Sequence, residues 1–288
     1  MKVAEALRAA ADRLSATSDT ARLDAEVLMA HALGCSRTDL LLRHMAAAVP
    51  DGFDALVERR TGHEPVAYIT GTAEFYGIEL AVSPAVLIPR GDTETLIEAA
   101  REAFAGEAPP ERILDLGTGS GALLLAALSL WPDAEGIAIE RSPEASAVAK
   151  ANARRHAPSA RILEGDWTQT DWAQGLGRFD LVLSNPPYVE EHANLDASVR
   201  QYEPASALFS GLDGLDDYRI LVPQLPALLT ARGIALVEIG WTQADAVTDI
   251  ARGAGMSARV HCDLAGRKRA VEMAVSANIP LGKGPADH

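Results

Sequence analysis

Residues 112–130 read RILDLGTGSGALLLAALSL, which is a short apolar strand pattern, a glycine-rich loop and then an apolar helix pattern. Glycine lets the backbone turn sharply and lets a ligand approach main-chain atoms closely. In an open α/β sheet, ligands bind outside the carboxyl ends of the strands, where such a loop lies. The loop consists of Gly117, Thr118, Gly119, Ser120 and Gly121. The stretch therefore predicts an α/β fold with a ligand site at this loop.

The same alternation of strand and helix patterns continues downstream to about residue 276. The predicted strands are GIAIE (136–140), ARILEGD (160–166), FDLVLS (179–184), GIALVEIG (233–240), SARVHCD (257–263) and AVEMAVS (270–276). The predicted helices cover 122–130, the segment opened by Ser142-Pro143-Glu144, 215–229 and 243–253. Strands that alternate with helices form a mostly parallel sheet covered on both faces. We therefore expect a Rossmann-like fold whose last two strands make an antiparallel hairpin at one edge.

The chain before this region divides into a helical part and an extended part. Residues 1–71 carry apolar residues at helical spacing, with Gly34 as a helix stop, and predict a small helical bundle. Residues 72–91 alternate apolar and polar positions around Gly77 and predict a hairpin or extended linker. Asp92 is the predicted N-cap of the next helix. We expect the main domain to cover 92–279 and a disordered tail, rich in Gly and Pro, to cover 280–288.

Composition and charge limit the classes of function. The chain has 288 residues, with 26 Lys and Arg against 40 Asp and Glu, and its net charge is −14. Such a chain repels nucleic acid on average, so we expect no direct nucleic-acid binding. Cys35 and Cys262 are far apart and the seven histidines lack ligand spacing, which argues against a disulfide scaffold and a metal site. Without a signal-peptide pattern or an apolar run that could span a bilayer, we expect a cytoplasmic protein that is not bound to membranes.

Two further positions can contact a nucleoside-type cofactor. Glu140 ends the second strand, about 23 positions after Gly117, and a carboxylate there can accept both hydroxyls of an adenosine ribose. Trp167 follows the third strand, where its indole can stack on an adenine or form a wall beside it. The loop glycines and Ala122 also fit the dinucleotide pattern G-x-G-x-x-G/A. These positions therefore suit NAD and S-adenosylmethionine equally.

The fourth strand distinguishes between the two cofactors. FDLVLS is followed at once by Asn185-Pro186-Pro187-Tyr188, and the prolines must end the strand because they cannot donate to its ladder. A dehydrogenase needs instead a His, Lys or Tyr acid/base beside the nicotinamide. An Asn-Pro-Pro-aromatic motif after strand four, combined with a GxGxG loop after strand one, resembles the amino-group methyltransferases that use S-adenosylmethionine.

The chemistry of amide methylation explains this tetrapeptide. An amide nitrogen is a poor nucleophile because its lone pair is delocalised, and no side chain deprotonates it at neutral pH. The Asn185 side-chain oxygen and the Pro186 carbonyl can accept its two N–H hydrogens, which turns the lone pair toward the methyl donor. Pro187 fixes the backbone, and Tyr188 can pack on the flat acceptor group. The methylated nitrogen is acidic, so no dedicated base is needed.

The upstream sequence narrows the choice of amino group. Residues 71–100, GTAEFYGIELAVSPAVLIPRGDTETLIEAA, closely resemble the linker of the HemK/PrmC family of protein-(glutamine) methyltransferases. The resemblance continues through ILDLGTGSG (113–121), Asp166-Trp167, SNPPY (184–188) and Tyr202-Glu203-Pro204, and so covers essentially the whole chain. It implies a class I S-adenosylmethionine-dependent methyltransferase that methylates N5 of the glutamine in the Gly-Gly-Gln motif of class-1 peptide chain release factors.

The resemblance also implies roles for individual residues. S-adenosylmethionine would be bound by Gly117, Thr118, Gly119, Ser120, Gly121, Glu140, Trp167 and Asn185. The substrate glutamine would be held by Asn185, Pro186, Pro187 and Tyr188, with Asn185 as the catalytic residue. The helical bundle of a monomer would dock the release factor. The family commonly has Pro, Asp and Arg where this chain has Gly91, Glu140 and Gln201.

Three alternatives share part of these features. Adenine amino methylation of DNA or RNA uses the same Asn-Pro-Pro-Tyr chemistry, and the net charge of −14 disfavours it. A sister family methylates a ribosomal-protein glutamine, but Asp92-Thr93-Glu94 after the Pro-Arg pair favours the release factor enzymes. A non-catalytic module that binds NAD or another adenosine ligand is the third alternative.

Overall fold

The computed structural model describes residues 1–275, which form two compact units. Unit 1 consists of Met1–Thr72 together with the short segments Val82–Pro84 and Asn194–Glu203. Unit 2 contains the remaining described residues. The sequence pattern alone does not show that the two short segments belong to unit 1. The predicted disordered tail at 280–288 lies outside the described residues.

Unit 1 is a bundle of short helices, as the apolar spacing predicts. Its first helices are α1 (Val3–Leu14), α2 (Ala21–Leu33), α3 (Arg37–Asp39), α4 (Phe53–Thr61) and α5 (Val66–Thr70), and a π-helical turn, Leu40–His44, continues α3. α2 ends at Gly34, whose φ of 64° lies in the left-handed region that stops helices, so the predicted stop is confirmed. The apolar faces meet in a core that contains Leu7, Leu28 and Phe53.

Residues 72–81 of the extended region form a hairpin. Its strands, β1 (Thr72–Phe75) and β2 (Ile78–Ala81), form a two-stranded sheet and are joined by only two residues. These two residues, Tyr76 and Gly77, have φ of 51° and 74°. Positive φ at both central residues is typical of the type I′ turn, whose twist matches that of the flanking strands.

Unit 2 is built on a seven-stranded sheet with the strand order β5-β4-β3-β6-β7-β9-β8. The strands are β3 (Arg112–Leu116), β4 (Glu135–Glu140), β5 (Arg161–Glu164), β6 (Phe179–Ser184), β7 (Leu229–Glu238), β8 (Met256–Cys262) and β9 (Lys268–Val275). The first five pair in parallel, whereas β9 is antiparallel to both β7 and β8. The predicted parallel sheet with an antiparallel edge is confirmed.

Helices cover both faces of this sheet. They are α6 (Glu94–Ala103), α7 (Ala122–Leu130), α8 (Pro143–His156), α10 (Asp216–Leu221), α11 (Leu225–Leu228) and α12 (Ala244–Gly253), while α9 (Ala197–Tyr202) lies in unit 1. The predicted start of α8 is confirmed, because Ser142 Oγ accepts the amide of Ala145 at 3.1 Å. The helix predicted at 215–229 is two short helices joined by a 3₁₀ turn, Val222–Gln224. Pro223 in this turn lacks the N–H that a continuous helix needs.

The predicted N-cap at Asp92 is wrong. Residues Gly91–Thr93 form a 3₁₀ turn, and Thr93 occupies the N-cap position of α6. Asp92 instead pairs with the largely buried Arg269, at 2.8 Å between Oδ2 and Nη2. This ion pair competes with the local cap for the Asp92 carboxylate. No local sequence pattern indicates it, because Arg269 is far from Asp92 in the chain.

The topology places two loops at one end of the sheet. β3 lies between β4 and β6, so the strand order reverses at β3, and ligands bind at such switch points. Ser184, the last residue of β6, is in register with Leu116, the last residue of β3. The Ser184 hydroxyl donates to the Leu116 carbonyl at 2.9 Å. The glycine loop and the Asn185–Tyr188 motif therefore begin side by side.

Within residues 1–275, no helix is both long and apolar enough to cross a bilayer. In the same described part of the chain, no group of His, Cys, Asp and Glu side chains is arranged to hold a metal ion.

Candidate active site

The glycine loop between β3 and α7 adopts a backbone conformation that other residues rarely take. Gly117 and Gly119 have φ of 71° and 56°. A Cβ atom on Gly117 would lie 2.9 Å from the indole of Trp167, so this close approach also requires glycine. The amides of Gly117 and Thr118 both donate to the Ile139 carbonyl of β4, at 2.9 and 3.2 Å. The loop is thus anchored to the neighbouring strand.

Glu140 connects this loop to the start of α8. Its Oε2 atom accepts the Gly119 amide at 2.9 Å, and its Oε1 atom accepts the Ser142 amide at 2.9 Å. Each carboxylate oxygen has more than one lone pair, so both oxygens can still accept a further hydrogen bond. The side chain is therefore held in one orientation and retains the capacity to accept two ribose hydroxyls, which remains a prediction for this residue.

Trp167 forms a fixed wall beside the glycine loop. Its indole N–H donates to Asp217 Oδ1 at 3.3 Å, and its backbone carbonyl accepts Gln224 Nε2 at 3.1 Å. The ring edge lies against Gly117, as the distance to a hypothetical Cβ shows. Trp167 is thus held at its indole N–H and at its backbone, and its ring offers a flat apolar surface to a planar ring.

Asn185 follows β6 and faces the same cleft. Its side-chain nitrogen Nδ2 donates to the hydroxyl of Thr93 at 3.5 Å, which is longer than a typical hydrogen bond. Thr93 is the N-cap residue of α6 and is 4% exposed. Hydrogen bonds at catalytic sites are commonly long before the substrate binds and shorten in the complex.

Tyr188 is turned toward the sheet. Its hydroxyl donates to Glu238 Oε1 at 3.1 Å, and its backbone carbonyl accepts Gln243 Nε2 at 2.9 Å. Burial and the neighbouring Glu238 carboxylate raise the pKa of Tyr188 above its ordinary value, so the phenol is neutral and donates at physiological pH. The last residue of the motif is therefore fixed at both its side chain and its backbone.

The cleft is lined entirely by residues of unit 2. Of the residues predicted from the sequence, the lining includes Gly117, Thr118, Gly119, Ser120, Glu140, Trp167, Asn185 and Pro187. Gly121, Pro186 and Tyr188 are not among the lining residues; Gly121 is the N-cap of α7 and Pro186 is buried. The segment before α6 and the segment after residue 203 complete the cleft with Val86, Leu87, Pro89, Arg90, Thr93, Pro204, Ser206 and Ala207.

Two fully buried carboxyl groups lie beneath the two loops. Burial raises the pKa of Asp115, in β3, from 3.8 to about 7, and a hydrogen bond from Thr118 opposes this shift. Burial likewise raises the pKa of Glu238, at the end of β7, from 4.5 to about 7, opposed by Thr93, Tyr188 and the charge of Arg269. Both groups therefore change protonation state near neutral pH.

Sequence reasoning did not single out Thr93 or Glu238 as parts of the site. The signal for Glu238 was available, because an acid within the apolar strand GIALVEIG has to be buried. Thr93 belongs to the stretch Asp92-Thr93-Glu94. In the sequence this stretch distinguishes the release factor enzymes from the family that methylates a ribosomal-protein glutamine, and it gives no sign that Thr93 lies at the site. Its contact with Asn185 spans 92 positions, so only the folded chain shows it.

Two family models match the chain. The PrmC N-terminal domain matches residues 5–71, which lie within unit 1. The methyltransferase small domain matches residues 92–207, which contain the glycine loop and the Asn185–Tyr188 motif. Together the two models account for most of the chain before residue 208.

Relatives from several bacteria align with most of the chain. A release factor glutamine methyltransferase of Burkholderia pseudomallei is 41% identical over 273 residues, which is 91% of this chain and 95% of the relative. The protein of the same name from Geobacter sulfurreducens is 41% identical over 80% of each chain. That from Escherichia coli K12 is 40% identical over 84% of this chain and 87% of the relative.

Solved structures with low sequence identity share the fold. The hMettl16 catalytic domain, in complex with the MAT2A 3'UTR hairpin 6, is 14% identical and has a TM-score of 0.53, covering 78% of this chain and 82% of that one. The 16S rRNA N2 G1207 methyltransferase of T. thermophilus, in complex with AdoMet and guanosine, is 20% identical with a TM-score of 0.50. It covers 71% of this chain and 49% of that one. Unit 2 therefore has the Rossmann-like methyltransferase fold that the sequence predicts.

Proposed function

Because this chain belongs to the release factor glutamine methyltransferase family, we propose that it transfers a methyl group from S-adenosylmethionine to a glutamine side-chain amide of release factors. The acceptor is N5 of the glutamine in the Gly-Gly-Gln motif of class-1 peptide chain release factors. The observation that supports this most directly is the position of the Asn185 amide, which follows β6 and lines the same cleft as the glycine loop of β3.

The residues of the cleft fit S-adenosylmethionine. This cofactor supplies an activated methyl group on a positively charged sulfur atom. We propose that the amides of the glycine loop hold its amino acid part and that Glu140 accepts its ribose hydroxyls. Trp167 would lie against the adenine. The left-handed glycines and the close packing of Gly117 on the indole support this assignment, because a Cβ atom at Gly117 would clash with the Trp167 ring that lines the cleft.

The Asn185–Tyr188 motif would bind the acceptor amide. Asn185 Oδ1 and the Pro186 carbonyl would accept its two N–H hydrogens, which lie in the amide plane, so the nitrogen lone pair, which is perpendicular to that plane, faces the methyl group. The same two oxygens stabilise the positive charge that develops on nitrogen during transfer. The proton then leaves the methylated nitrogen, which is acidic at that stage. Pro187 lines the cleft and keeps the backbone rigid.

The release factor is the proposed protein partner, with unit 1 as its docking domain. The proposed enzyme acts as a monomer in the cytoplasm, where release factors work, and binds neither nucleic acid nor membranes directly. The net charge of −14 supports the exclusion of nucleic acid, because the phosphate backbone is repelled.

Mass spectrometry of the substrate tests this function. Purified class-1 release factor is incubated with the enzyme and S-adenosylmethionine, digested and mapped. We expect one added methyl group on the Gly-Gly-Gln glutamine and none on a release factor with Ala at that position. Asn185→Ala should lower turnover by about 100-fold, the typical cost of one lost transition-state hydrogen bond, and leave cofactor affinity within about threefold. An unmodified release factor, or a methylated ribosomal protein or adenine in its place, would contradict the proposal.

A further inference from the structure

The acceptor-binding motif, Asn185–Tyr188, is a stiff segment whose position depends on the groups that hold its two ends. Proline fixes its own φ and restricts the residue before it to extended conformations, so the two prolines leave few soft torsions within the motif. At the first end, the Ser184 hydroxyl donates to the Leu116 carbonyl at 2.9 Å and ties the motif to β3. A displacement of the second end would therefore move both oxygens that are proposed to accept the hydrogens of the acceptor amide.

Gln243 holds this second end. Its Nε2 atom donates to the Tyr188 carbonyl at 2.9 Å and to the Gly214 carbonyl at 3.2 Å, while its Oε1 atom accepts the Gly240 amide at 2.9 Å. The reverse orientation of this carboxamide would place an oxygen against two carbonyl oxygens, so its partners fix which end is which. One side chain therefore joins the loop after β6, the loop before α10 and the loop after β7.

The backbone approaches this carboxamide closely at two glycines. A Cβ atom on Gly214 would lie 2.3 Å from the Tyr188 carbonyl oxygen and 2.6 Å from Gln243 Nε2. Gly214 also has a φ of 70°, which disfavours any other residue. A Cβ atom on Gly240 would lie 2.9 Å from Gln243 Oε1. Two positions thus lack a side chain where the carboxamide lies, which makes this junction specific to the residues that form it.

Gln243 is itself held in place by the local backbone. Its amide donates to the Gly240 carbonyl at 2.9 Å, which closes a turn, and it occupies the N-cap position of α12. The next residue, Ala244, is buried. The turn follows β7, whose last residue is Glu238. Gln243 therefore ties the motif to β7 and α12, as Ser184 ties it to β3.

The other contacts near the end of the motif restrain different groups. The Tyr188 hydroxyl donates to Glu238 Oε1 at 3.1 Å, which holds the side chain and not the backbone. The carbonyl of the next residue, Val189, accepts the Ser210 amide at 2.9 Å, but Ser210 lies in a loop and not in a strand of the sheet. Gln243 is thus the contact that fixes the Tyr188 backbone relative to the sheet.

We propose that Gln243 is a positioning residue for methyl transfer. It fixes the Tyr188 carbonyl and, through the stiff motif, the Asn185 and Pro186 oxygens that orient the acceptor amide. Gln243 is not among the residues that line the described cleft, so it acts through the motif and not by contact with the reacting atoms. This inference rests on the proposed function, because the position of the motif matters for catalysis only if the motif binds the acceptor.

Two substitutions of Gln243 distinguish positioning from packing. Gln243→Glu keeps the shape of the side chain and an acceptor for Gly240, but at pH 8 its carboxylate cannot donate to the Tyr188 carbonyl. Gln243→Met keeps the length and removes the hydrogen bonds. A misplacement of about 1 Å can cost about 100-fold in rate, and we expect kcat on release factor to fall about tenfold or more in both variants. If Gln243 only fills space, both variants keep wild-type kcat, and the proposal is overturned.

The binding and stability measurements show where the loss arises. The dissociation constant for S-adenosylmethionine should change by less than about threefold, since neither variant removes a proposed cofactor contact. Kcat should fall more than the KM of the release factor rises, because the oriented oxygens act mainly in the transition state. Gln243→Glu should stay folded, because a negative charge is favourable at the N-terminus of α12. A loss of cofactor affinity as large as the loss of kcat would mean that the whole cleft is disturbed and would overturn the proposal.

Thr242→Ala is the matched control, because Thr242 is the exposed neighbour of Gln243 in the same loop. It should keep the kcat, the KM and the cofactor affinity of the wild type. An equal loss of kcat in Thr242→Ala would assign the effect to the loop as a whole and contradict a specific role of Gln243. A wild-type enzyme that leaves release factor unmodified would contradict the proposed function itself, whereas an active wild type with unchanged kcat in Gln243→Glu would contradict only this inference.

Discussion

A buried acid such as Glu238 carries a cost in stability that depends on pH. In the unfolded chain its pKa is near 4.5, and in the folded protein it is about 7. Between these values the folded protein keeps a proton that the unfolded chain has released, so the folded state binds more protons. Stability due to this group is therefore complete below about pH 4.5 and is lost as the pH rises through 7.

Glu238→Gln should reveal this cost as a gain in stability at high pH. The substitution removes the charge and keeps an acceptor for Tyr188. A shift from 4.5 to about 7 corresponds to about 3 kcal/mol, so the variant should gain up to that amount relative to wild type between about pH 4.5 and about pH 8. Urea unfolding of both proteins across this range measures it. A stability difference that does not change with pH would show that Glu238 titrates normally.

Among single residues, the sequence predicted best those whose type is dictated by local geometry. The glycines of the loop and Asn185 stand next to strand ends that the apolar pattern already marks, so their meeting at one end of the sheet follows from parallel topology. Thr93 contacts Asn185, which is 92 positions away in the chain, and Asp92 and its partner Arg269 are farther apart still. No local pattern encodes such pairs.

At the scale of secondary structure elements, Asn152 joins three parts of unit 2. It lies on α8 and is 2% exposed. Its Oδ1 atom accepts the Ala81 amide at 2.8 Å, and its Nδ2 atom donates to the carbonyls of Ala81 and Ser120, at 2.9 and 2.8 Å. One side chain thus ties the end of the β1–β2 hairpin to the glycine loop.

Asn152→Ala should loosen this connection. It leaves the backbone groups of half-buried Ala81 and buried Ser120 without their Asn152 partners, which costs about 2 kcal/mol in the free energy of unfolding. S-adenosylmethionine should bind more weakly as well, since Ser120 lines the cleft. Urea unfolding and calorimetry measure the two effects.

Ser146→Ala is the matched control for this prediction. Ser146 lies on the same helix and is fully buried, and its hydroxyl has no hydrogen-bond partner among the described residues. Its removal should leave stability and cofactor affinity nearly unchanged, because no hydrogen bond is lost. Equal losses in both variants would mean that α8 packing, rather than the Asn152 hydrogen bonds, holds the loop.

The elements themselves were largely predictable, and their ends were less so. The strands of the sheet and α7 follow from apolar runs bounded by Gly and Pro. The start of α6 was misplaced because an ion pair competes with the local cap at Asp92. Helix α9 was not predicted, since a six-residue helix gives no clear periodicity. Its Tyr202 hydroxyl donates to the Gly62 carbonyl at 2.7 Å, a contact within unit 1.

At the scale of the whole molecule, the two units differ in what they contribute. Every residue that lines the cleft belongs to unit 2. Unit 1 nevertheless has its own apolar core, which includes Leu7, Leu28 and Phe53. A separately packed unit that supplies nothing to the lining is suited to binding the protein that carries the acceptor glutamine, which is its proposed role.

This role predicts a large difference between a protein substrate and a peptide. A short peptide with the Gly-Gly-Gln motif offers the same amide but no surface for unit 1. Its kcat/KM should be about 100-fold lower than that of the release factor, chiefly through KM, because remote contacts stabilise the bound state as a whole. Release factor should also slow amide hydrogen exchange in α1 to α5, and the peptide should not. Equal kcat/KM for the two substrates, with unchanged exchange in unit 1, would remove the docking role and leave recognition to the cleft alone.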